Sequence, residues 1–370
     1  MNQSYNHIRG MLAITKASLK AVFRSPSAVI FSFVFPLVFI LVFGFIGSGG
    51  RINVRVAFDP RSDTSSKLYY AIKSWQGISV IQKDTVSIRE DLEKGRITAI
   101  INIQKNTQAS SPEFIIHLKS SEAVSPQNIQ VLRSILEGGV IKTLNAQNNI
   151  EQPTVAAVSS EVVKIKGRKY RTIDFILPGQ LGFSLLSAGV FGVAFIFFNL
   201  RQSLVLKRFF ATPIKRVYIV FGESISRVLF GLITAVVILL VGHYFFNFTL
   251  VHGWVTLAEL LVLSLIGLIV FMGFGFIVSG LSKNESVIPP FANLITLPQF
   301  LLGGTFFSTD VFPPWLKSVA DVMPLKHLND AMRNVAFEGA HLPDCMKQIG
   351  ILGLWGIVVY FIAVKVFRWE

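Results

Sequence analysis

Long uncharged apolar stretches constrain this chain more than any other feature of its sequence. A helix needs about 20 mostly apolar residues to cross a hydrocarbon layer of about 30 Å. Six stretches have this length, at residues 28–46, 173–198, 220–246, 255–281, 287–307 and 349–367. The third and fourth form one apolar block that is too long for a single crossing, so the uncharged segment NFTLVHGW divides it. The sequence therefore predicts an α-helical polytopic membrane protein with six transmembrane helices.

The composition excludes most soluble classes. Only 15% of the 370 residues are charged, against about 25% in soluble domains, and 52% are hydrophobic. The formal net charge is +14, but the basic residues mostly lie beside or between apolar stretches, so nucleic acid is not an expected partner. A single cysteine, Cys345, excludes an internal disulfide framework and a cysteine-based metal site.

The first 27 residues predict a cytoplasmic amphipathic helix that lies along the inner membrane surface. Its apolar residues fall near one side, and Arg9, Lys16 and Lys20 lie largely on the other. Two roles remain open for this interface helix, a generic membrane anchor and a brace for a cytosolic partner. The stretch at 28–46 is too long for a signal peptide and lacks a convincing cleavage site, so we expect it to be retained as the first transmembrane helix.

Lysine and arginine indicate how the helices are oriented. They precede the first stretch, occur throughout the loop between the second and third, and follow the last, whereas the connection between the third and fourth has none. Positively charged short loops resist translocation, so both termini are expected to be cytoplasmic.

Residues 47–172 predict an inserted extracytoplasmic α/β domain. The strand-like runs INVRVAF, ISVIQ, ITAIINI and EFIIHL are interspersed with helical patterns, the longest of which begins at SPQNIQVLRS. The domain has more basic than acidic residues, which long translocated segments tolerate. Residues 148–160 predict a linker that returns to the membrane. The remaining residues, 173–370, predict a five-helix transmembrane domain.

No nucleotide or metal motif is visible. The chain contains neither a GxxxxGK[ST] phosphate loop nor a GxGxxG run after a strand. It has no HExxH motif, and its six histidines are too scattered to predict a ligand set. If the chain takes part in ATP-driven work, another chain must hydrolyse the ATP.

The inner loop at residues 199–219 contains a short amphipathic element. Lys207 and Arg208 interrupt its apolar residues, and Thr212 followed by Pro213 ends it. The apolar residues are Leu204, Leu206, Phe209 and Phe210. Such an element can present aromatic side chains to a groove of another protein. A surface helix resting among lipid headgroups is the alternative.

Two pairs of ionisable residues have helical spacing. Glu223 and Arg227 predict an i,i+4 pair near the start of the third stretch, where a structural role is favoured. Asp330 and Arg333 predict an i,i+3 pair in residues 308–345, a reentrant segment whose apolar pieces are too short to cross the membrane. Glu259, near the outer end of the fourth stretch, is expected to be solvated at the surface.

In this order, these features resemble the membrane (permease) subunit of a type-2 ABC exporter, in the variant with a large extracytoplasmic domain after the first helix. The resemblance covers nearly the whole chain. It rests on LPGQLGF at residues 177–183, LKRFFATPIKR at 206–216 and FFSTDVFPPWLKSVADVMPLKHLNDAMR at 306–333. One departure is NLRQ at residues 199–202, where many relatives carry an acidic run.

The resemblance implies a dimer, either of two copies or with a similar permease, bound to two cytosolic ATPase subunits in the inner membrane of a bacterium. ATP and Mg would be bound by those partners, and this chain would bind no cofactor. Residues 204–215 would form the coupling helix, with the N-terminal helix beside it at the ATPase surface. The substrate path would lie between spans one, two and five of both subunits.

The near absence of charge in the spans favours a lipophilic or amphipathic substrate that reaches the chain from the lipid bilayer, such as a drug or a lipid. An ion-coupled secondary transporter is a second hypothesis, for which the prolines of the fifth stretch are the one hint. A third is a sensor or scaffold that transports nothing and uses its outer domain to bind a ligand.

Overall fold

The computed structural model describes most of the chain. The described residues are 7–24, 33–34, 36–38, 40, 54–75, 77–106, 112–124, 126–142, 156–159, 162–165, 171–202, 214–306, 309 and 312–366. The chain divides into two compact units. The first comprises Met1–Ser48 with Thr172–Glu370, and the second comprises Gly49–Arg171.

The first described helix, α1, extends over His7–Phe23 in the first unit. Its buried residues are Thr15, Ser18 and Val22, which share one face because they are spaced by three and four positions. Lys20 lies in the last turn, where its positive charge is attracted to the partial negative charge at the C-terminal end of the helix and stabilises it.

The second unit is built on a six-stranded sheet. In chain order its elements are β1 (Val54–Phe58), α2 (Lys67–Ser74), β2 (Ile78–Val80), α3 (Thr85–Glu93), β3 (Ala99–Lys105), β4 (Phe114–Ser121), α4 (Pro126–Ser134), β5 (Ala156–Val158) and β6 (Val163–Ile165). The strand order is β2-β1-β3-β4-β5, and β6 also pairs with β4. The β3–β4 pair is antiparallel, and the other pairs are parallel.

Strand alternation distributes the apolar side chains of this unit to both faces of the sheet. Val54 and Val56 of β1 pack in one core with residues of α2 and α4, whereas Ala57 packs with Leu92 of α3 in another. Successive residues of a strand point to opposite faces, so the helices cover both. The small α/β domain expected from the sequence is therefore present as a fold.

Two details of this unit differ from the sequence pattern. Residues 148–160 were expected to be a linker, but β5 lies inside this segment and pairs with Phe114–Ile116 of β4. Three apolar residues are too few to show a strand periodicity. The long helix after residue 125 changes at Ile135–Ile141 to a π-helix, where Gly139 lies so close to the Trp75 ring that a Cβ atom would be 2.7 Å from it.

The remaining helices complete the first unit. They are α5 (Thr172–Gln202), α6 (Arg216–Phe246), α7 (Trp254–Leu281), α8 (Ile288–Leu302), α9 (Pro314–Ala320), α10 (Pro324–Arg333) and α11 (Met346–Val366). Among the described residues, four segments are long and apolar enough to cross a membrane: Thr172–Gln202, Val217–Phe246, Trp254–Leu281 and Leu342–Val366. They correspond to the second, third, fourth and sixth predicted stretches.

The other two predicted spans stay predictions. Of residues 28–46, the structure describes 33–34, 36–38 and 40, and the rest lie outside the described part of the chain. The fifth stretch forms α8, whose 15 residues rise about 22 Å, less than the thickness of a hydrocarbon core. The helix ends at Gly303, so the apolar residues after it continue as a turn rather than as helix.

The core of the first unit lies around α5, which packs against α6, α7, α8 and α10. Small residues let α5 and α7 approach closely, since a Cβ on Gly275 would lie 2.6 Å from the carbonyl oxygen of Gly189. Within the most apolar 18 residues of each helix, 61% of those of α5 are buried, but only 17% of those of the Leu342–Val366 segment are. The last helix therefore presents most of its apolar surface outward, as a lipid-facing helix does.

Candidate functional site

A cavity of about 690 Å³ lies between α1, α5, α6 and α7. Its wall is mostly apolar and aromatic, with Phe183, Phe191 and Phe195 from α5 and Phe230 from α6. Val22 of α1, Pro36, Leu268 and Met272 contribute further apolar surface. Among the described lining residues, Arg227 of α6 is the one ionisable side chain.

Small residues on α5 create this space. Ser184, Ser187, Ala188 and Gly192 line the cavity between the phenylalanines. A Cβ atom built on Gly192 would have no atom within 4 Å, so the volume beside it is open. A volume of this size falls in the range of about 300–1,000 Å³ typical of small-molecule sites.

The contact between α1 and α6 contains a buried hydrogen bond one helical turn from the cavity residue Arg227. The Ser18 hydroxyl of α1 donates a hydrogen bond to Glu223, whose side chain is buried. Arg227 lies one turn further along α6, and the two opposite charges interact electrostatically. The Glu223 carboxylate thus accepts its hydrogen bond from α1, and the Arg227 side chain lines the cavity. The Nε atom of Arg227 is buried and has no hydrogen-bond partner among the described residues.

Close backbone packing fixes α1 against the first half of α6. Thr15 Oγ1 donates to the carbonyl oxygen of Gly222 at 2.9 Å, and a Cβ on Gly222 would lie 2.9 Å from the carbonyl oxygen of Met11. His7 stacks on Tyr218 with ring centroids 5.1 Å apart. The amphipathic pattern of α1 predicted a position along the membrane surface but did not indicate this contact with a second helix.

The opposite face of α1 carries the predicted cationic residues. Arg9, Lys16 and Lys20 are exposed there, whereas Ile8 and Leu12, which are 58% and 56% exposed, lie nearer the side of the helix that carries Thr15. Exposed cations next to exposed aliphatic side chains suit either a lipid headgroup layer or a protein partner.

The inner loop lies outside the described residues between positions 203 and 213. The predicted coupling residues there are Leu204, Leu206, Lys207, Arg208, Phe209, Phe210, Thr212 and Pro213, and their roles stay predictions. The ends of the loop are described. Arg201 Nη2 donates to the carbonyl oxygen of Ser282 at 2.7 Å, which joins the ends of α5 and α7. Ile214 packs near Ile14 of α1.

A second polar cluster joins α10 to the start of α5. Arg333 donates from Nε and Nη2 to the carbonyl oxygen of Phe175 at 3.1 and 3.0 Å, and its guanidinium lies 3.8 Å from the Phe175 ring centroid. Nη2 also donates to the carbonyl oxygen of Gly304. The predicted partner Asp330 lies 3.8 Å away. The chief partners of Arg333 are thus backbone carbonyls, a role that the i,i+3 spacing did not indicate.

The two glycines of the LPGQLGF motif lie where α5 packs against α10 and the turn after α8. A Cβ on Gly179 would lie 2.4 Å from the carbonyl oxygen of Thr305, and one on Gly182 would lie 2.1 Å from Asn329 Oδ1. Asn329 Nδ2 donates to the carbonyl oxygen of Gly303 at 2.8 Å. The turn after α8, α10 and α5 therefore interlock where only glycine fits on α5.

Other charges on this segment are paired. Lys326 Nζ lies 2.7 Å from Asp330 and 3.3 Å from Asp321. Burial alone would lower the pKa of the Lys326 ammonium, but the two carboxylates outweigh burial and raise the pKa above its ordinary value. The expectation for Glu259 is wrong: its side chain is 12% exposed and contacts His341 Nδ1 at 3.0 Å.

Comparison with known protein families places these features in context. Residues 26–365 match the family described as ABC-2 family transporter protein. The chain is 24% identical to linearmycin resistance permease protein LnrN of Bacillus subtilis over 98% of this chain and 100% of that protein. It is 18% identical to the probable multidrug ABC transporter permease YbhS of Escherichia coli over 96% and 95% of the two chains, and 23% identical to the inner membrane transport permease YadH over 55% and 77%.

Proposed function

The chain belongs to the ABC-2 transporter family, and on that basis we propose that it is the permease subunit of an ATP-driven exporter that moves a lipophilic or amphipathic substrate. Two relatives, one named as a resistance permease and the other as a probable multidrug permease, support efflux of a drug-like or lipid-like compound. The expected location is the inner membrane of a bacterium, with both termini in the cytoplasm and the unit Gly49–Arg171 outside.

The observation that carries the proposal is the apolar cavity between α1, α5, α6 and α7. Its wall of aromatic and aliphatic side chains can replace the lipid around an apolar substrate, so such a substrate loses little solvation free energy on leaving the bilayer. A strongly charged solute would find a single guanidinium for compensation among the described lining residues.

The contacts of α1 supply a route from an ATPase to this cavity. We expect residues 204–215 to form the coupling helix and α1 to lie beside it at the ATPase surface. Because α1 is bonded to α6 through Thr15 and Ser18, a force on α1 moves a helix that lines the cavity. ATP and Mg would be bound by the partner, and a second permease, identical or similar, would complete the assembly.

A double substitution in the inner loop tests the coupling assignment. Replacing Phe209 and Phe210 by aspartate should release the ATPase in co-purification, because the partner's apolar groove would have to bury two carboxylates. The matched control replaces Tyr244 and Phe245, an exposed pair at the other end of α6, by aspartate. Undiminished co-purification of the loop variant would overturn the coupling assignment.

A substitution that fills the cavity tests the substrate assignment. Gly192→Leu should abolish stimulation of ATP hydrolysis by amphipathic compounds in lipid nanodiscs, since its side chain would occupy the open volume. Gly353→Leu on α11, where a Cβ also meets no atom within 4 Å, is the control and should leave stimulation unchanged. Equal stimulation in both variants would contradict a substrate site here.

A further inference from the structure

We propose that the cavity selects amphipathic anions, with Arg227 binding the anionic headgroup and the phenylalanine-lined wall holding the apolar part. The inference rests on the proposed function and narrows its substrate class. It concerns a residue whose sequence context indicated only a structural ion pair with Glu223.

Arg227 has unused binding capacity at the cavity wall. Its Nε atom is buried and has no hydrogen-bond partner among the described residues. Glu223, the neighbouring carboxylate, accepts the Ser18 hydroxyl instead. A guanidinium carries five N–H donors, and a buried donor without an acceptor is costly. An anionic headgroup in the cavity would supply acceptors to the guanidinium and also offset its positive charge, whereas a neutral acceptor would offset no charge and a cationic headgroup would be repelled.

The geometry of the guanidinium favours an oxyanion as the ligand. Arginine binds carboxylate, sulfate and phosphate groups through two parallel hydrogen bonds, and such bonds strengthen where water is excluded. Among the described lining residues, Ser184, Ser187 and Asn199 are the polar ones besides Arg227, and all three are uncharged. One cation among otherwise uncharged residues in this described part of the wall suits a single anionic headgroup.

The length of α6 places Arg227 at a depth that suits a headgroup. The 31 residues of α6 rise about 46 Å, which exceeds a hydrocarbon core of about 30 Å by roughly 16 Å. α1 packs along the first half of α6 from Tyr218 to Phe230. We therefore place the part of α6 that extends beyond the hydrocarbon core at this N-terminal end. Arg227 is eleven residues from the first residue of α6, about 17 Å along it, and therefore lies near the boundary of the core.

The apolar part of the ligand can extend along α5. The lining residues of α5 run from Phe183 to Asn199, sixteen positions that rise about 24 Å. An amphiphile could thus enter from the bilayer with its headgroup held at Arg227 and its chain among the phenylalanines, without carrying charge into the core.

Equilibrium binding to the full-length permease in neutral phosphatidylcholine nanodiscs tests the inference. The probes are three dansyl-labelled twelve-carbon chains that differ only in the headgroup, which is sulfate, hydroxyl or trimethylammonium. We expect the sulfate probe to bind at least about tenfold more tightly than the other two, because a charge-assisted bond contributes about 1.4 kcal/mol or more. Arg227→Gln should remove this preference, and Arg227→Lys should keep part of it.

Matched controls separate the charge from the fold. Lys365→Gln removes an exposed cation of α11 that does not line the cavity, and it should leave the preference unchanged. Gly192→Leu should weaken all three probes alike. If Arg227→Gln does not fold, a reduced sulfate preference in Arg227→Lys, together with weaker binding of all three probes to Gly192→Leu, supports the site, and an undiminished preference in Arg227→Lys overturns it.

Two outcomes would overturn the inference. Equal binding of the three probes to the wild type would do so, as would an unchanged sulfate preference in Arg227→Gln. If the probes nevertheless stimulate ATP hydrolysis equally, the proposed export function stands and only the anion preference fails. Competition by added phosphatidylglycerol would identify a bilayer lipid as the source of the anion, whereas its failure to compete would indicate a free amphiphile; both support the site.

Discussion

The contact of Gly179 with the turn after α8 permits a stability test with a control on the same helix. A Cβ on Gly179 would lie 2.4 Å from the carbonyl oxygen of Thr305 and 2.9 Å from its Cα atom. These are backbone atoms, so they cannot rotate away as a side chain would. A Cβ on Gly192, thirteen residues further along α5, meets no atom within 4 Å.

The expected cost of Gly179→Ala follows from these distances. Overpacking of a close contact costs about 1–3 kcal/mol. Moving the turn also weakens the hydrogen bonds from Asn329 to Gly303 and from Arg333 to Gly304, at about 1 kcal/mol each. The better helix propensity of alanine offsets at most about 1 kcal/mol. We therefore expect the free energy of unfolding to fall by about 2–4 kcal/mol.

Reversible unfolding in mixed micelles, followed by tryptophan fluorescence, measures this difference. Gly192→Ala should leave the free energy of unfolding unchanged or raise it by up to about 1 kcal/mol, because only the helix propensity changes there. If Gly179→Ala proves as stable as Gly192→Ala, the close packing of α5 against the turn is refuted.

Three further predictions concern polar contacts. Arg333→Lys should lower the free energy of unfolding by about 1.5–3 kcal/mol in the same assay, since lysine cannot keep the paired bonds of the guanidinium. Ser18→Ala should weaken the docking of α1 on α6, seen as a lower yield of cysteine cross-links between them, because buried Glu223 loses its donor. The hydrogen bond from Arg61 holds the pKa of Asp59 below its ordinary value of 3.8, so its stabilisation is present above that pH and is lost as the pH falls through the lower folded value. The stability difference between wild type and Arg61→Gln should therefore shrink below pH 3.8 in acid unfolding, and a constant difference would contradict this origin.

Features that depend on local sequence were predicted well. Four apolar stretches coincide with α5, α6, α7 and α11 to within about four residues, because length and hydropathy alone define a helix that can cross a membrane. The α/β character of Gly49–Arg171 likewise follows from strand alternation and helical periodicity. The family match over residues 26–365 confirms the resemblance to an ABC-2 permease that the order of the motifs indicated.

Features that depend on distant contacts were missed. The carbonyl oxygen of Gly303 at the end of α8 accepts a hydrogen bond from Asn329, which is 26 residues away, and the prediction of a span to residue 307 overlooked the turn signal of the Gly303–Gly304 pair. Glu259 is largely shielded from solvent and contacts His341, which lies 82 residues further along the chain. Neither partner can be chosen from spacing on one helix.

The cavity illustrates the same limit at the candidate site. Gly189 and Gly192 lie within one turn of α5, yet the first packs against Phe271 and the second faces open volume. The sequence marked Arg227 as an ionisable residue near the interface, but only the contact of Ser18 with Glu223 shows that the neighbouring carboxylate is engaged elsewhere. The small residues of α5 were the feature of the sequence that could have indicated the cavity. Small residues, however, occur both where helices pack closely and where a cavity is open, so they did not distinguish the two.

Transport by a reconstituted complex tests most directly whether this chain is a conduit driven by a separate ATPase. The permease and its partner ATPase would be placed in sealed liposomes, and movement of the sulfate amphiphile would be followed by dansyl fluorescence. We predict movement that requires ATP, stops when the phosphate-loop lysine of the ATPase is replaced, and is lost in Gly192→Leu but kept in Gly353→Leu. Movement by the permease alone, driven by an ion gradient and independent of nucleotide, would contradict the proposed function.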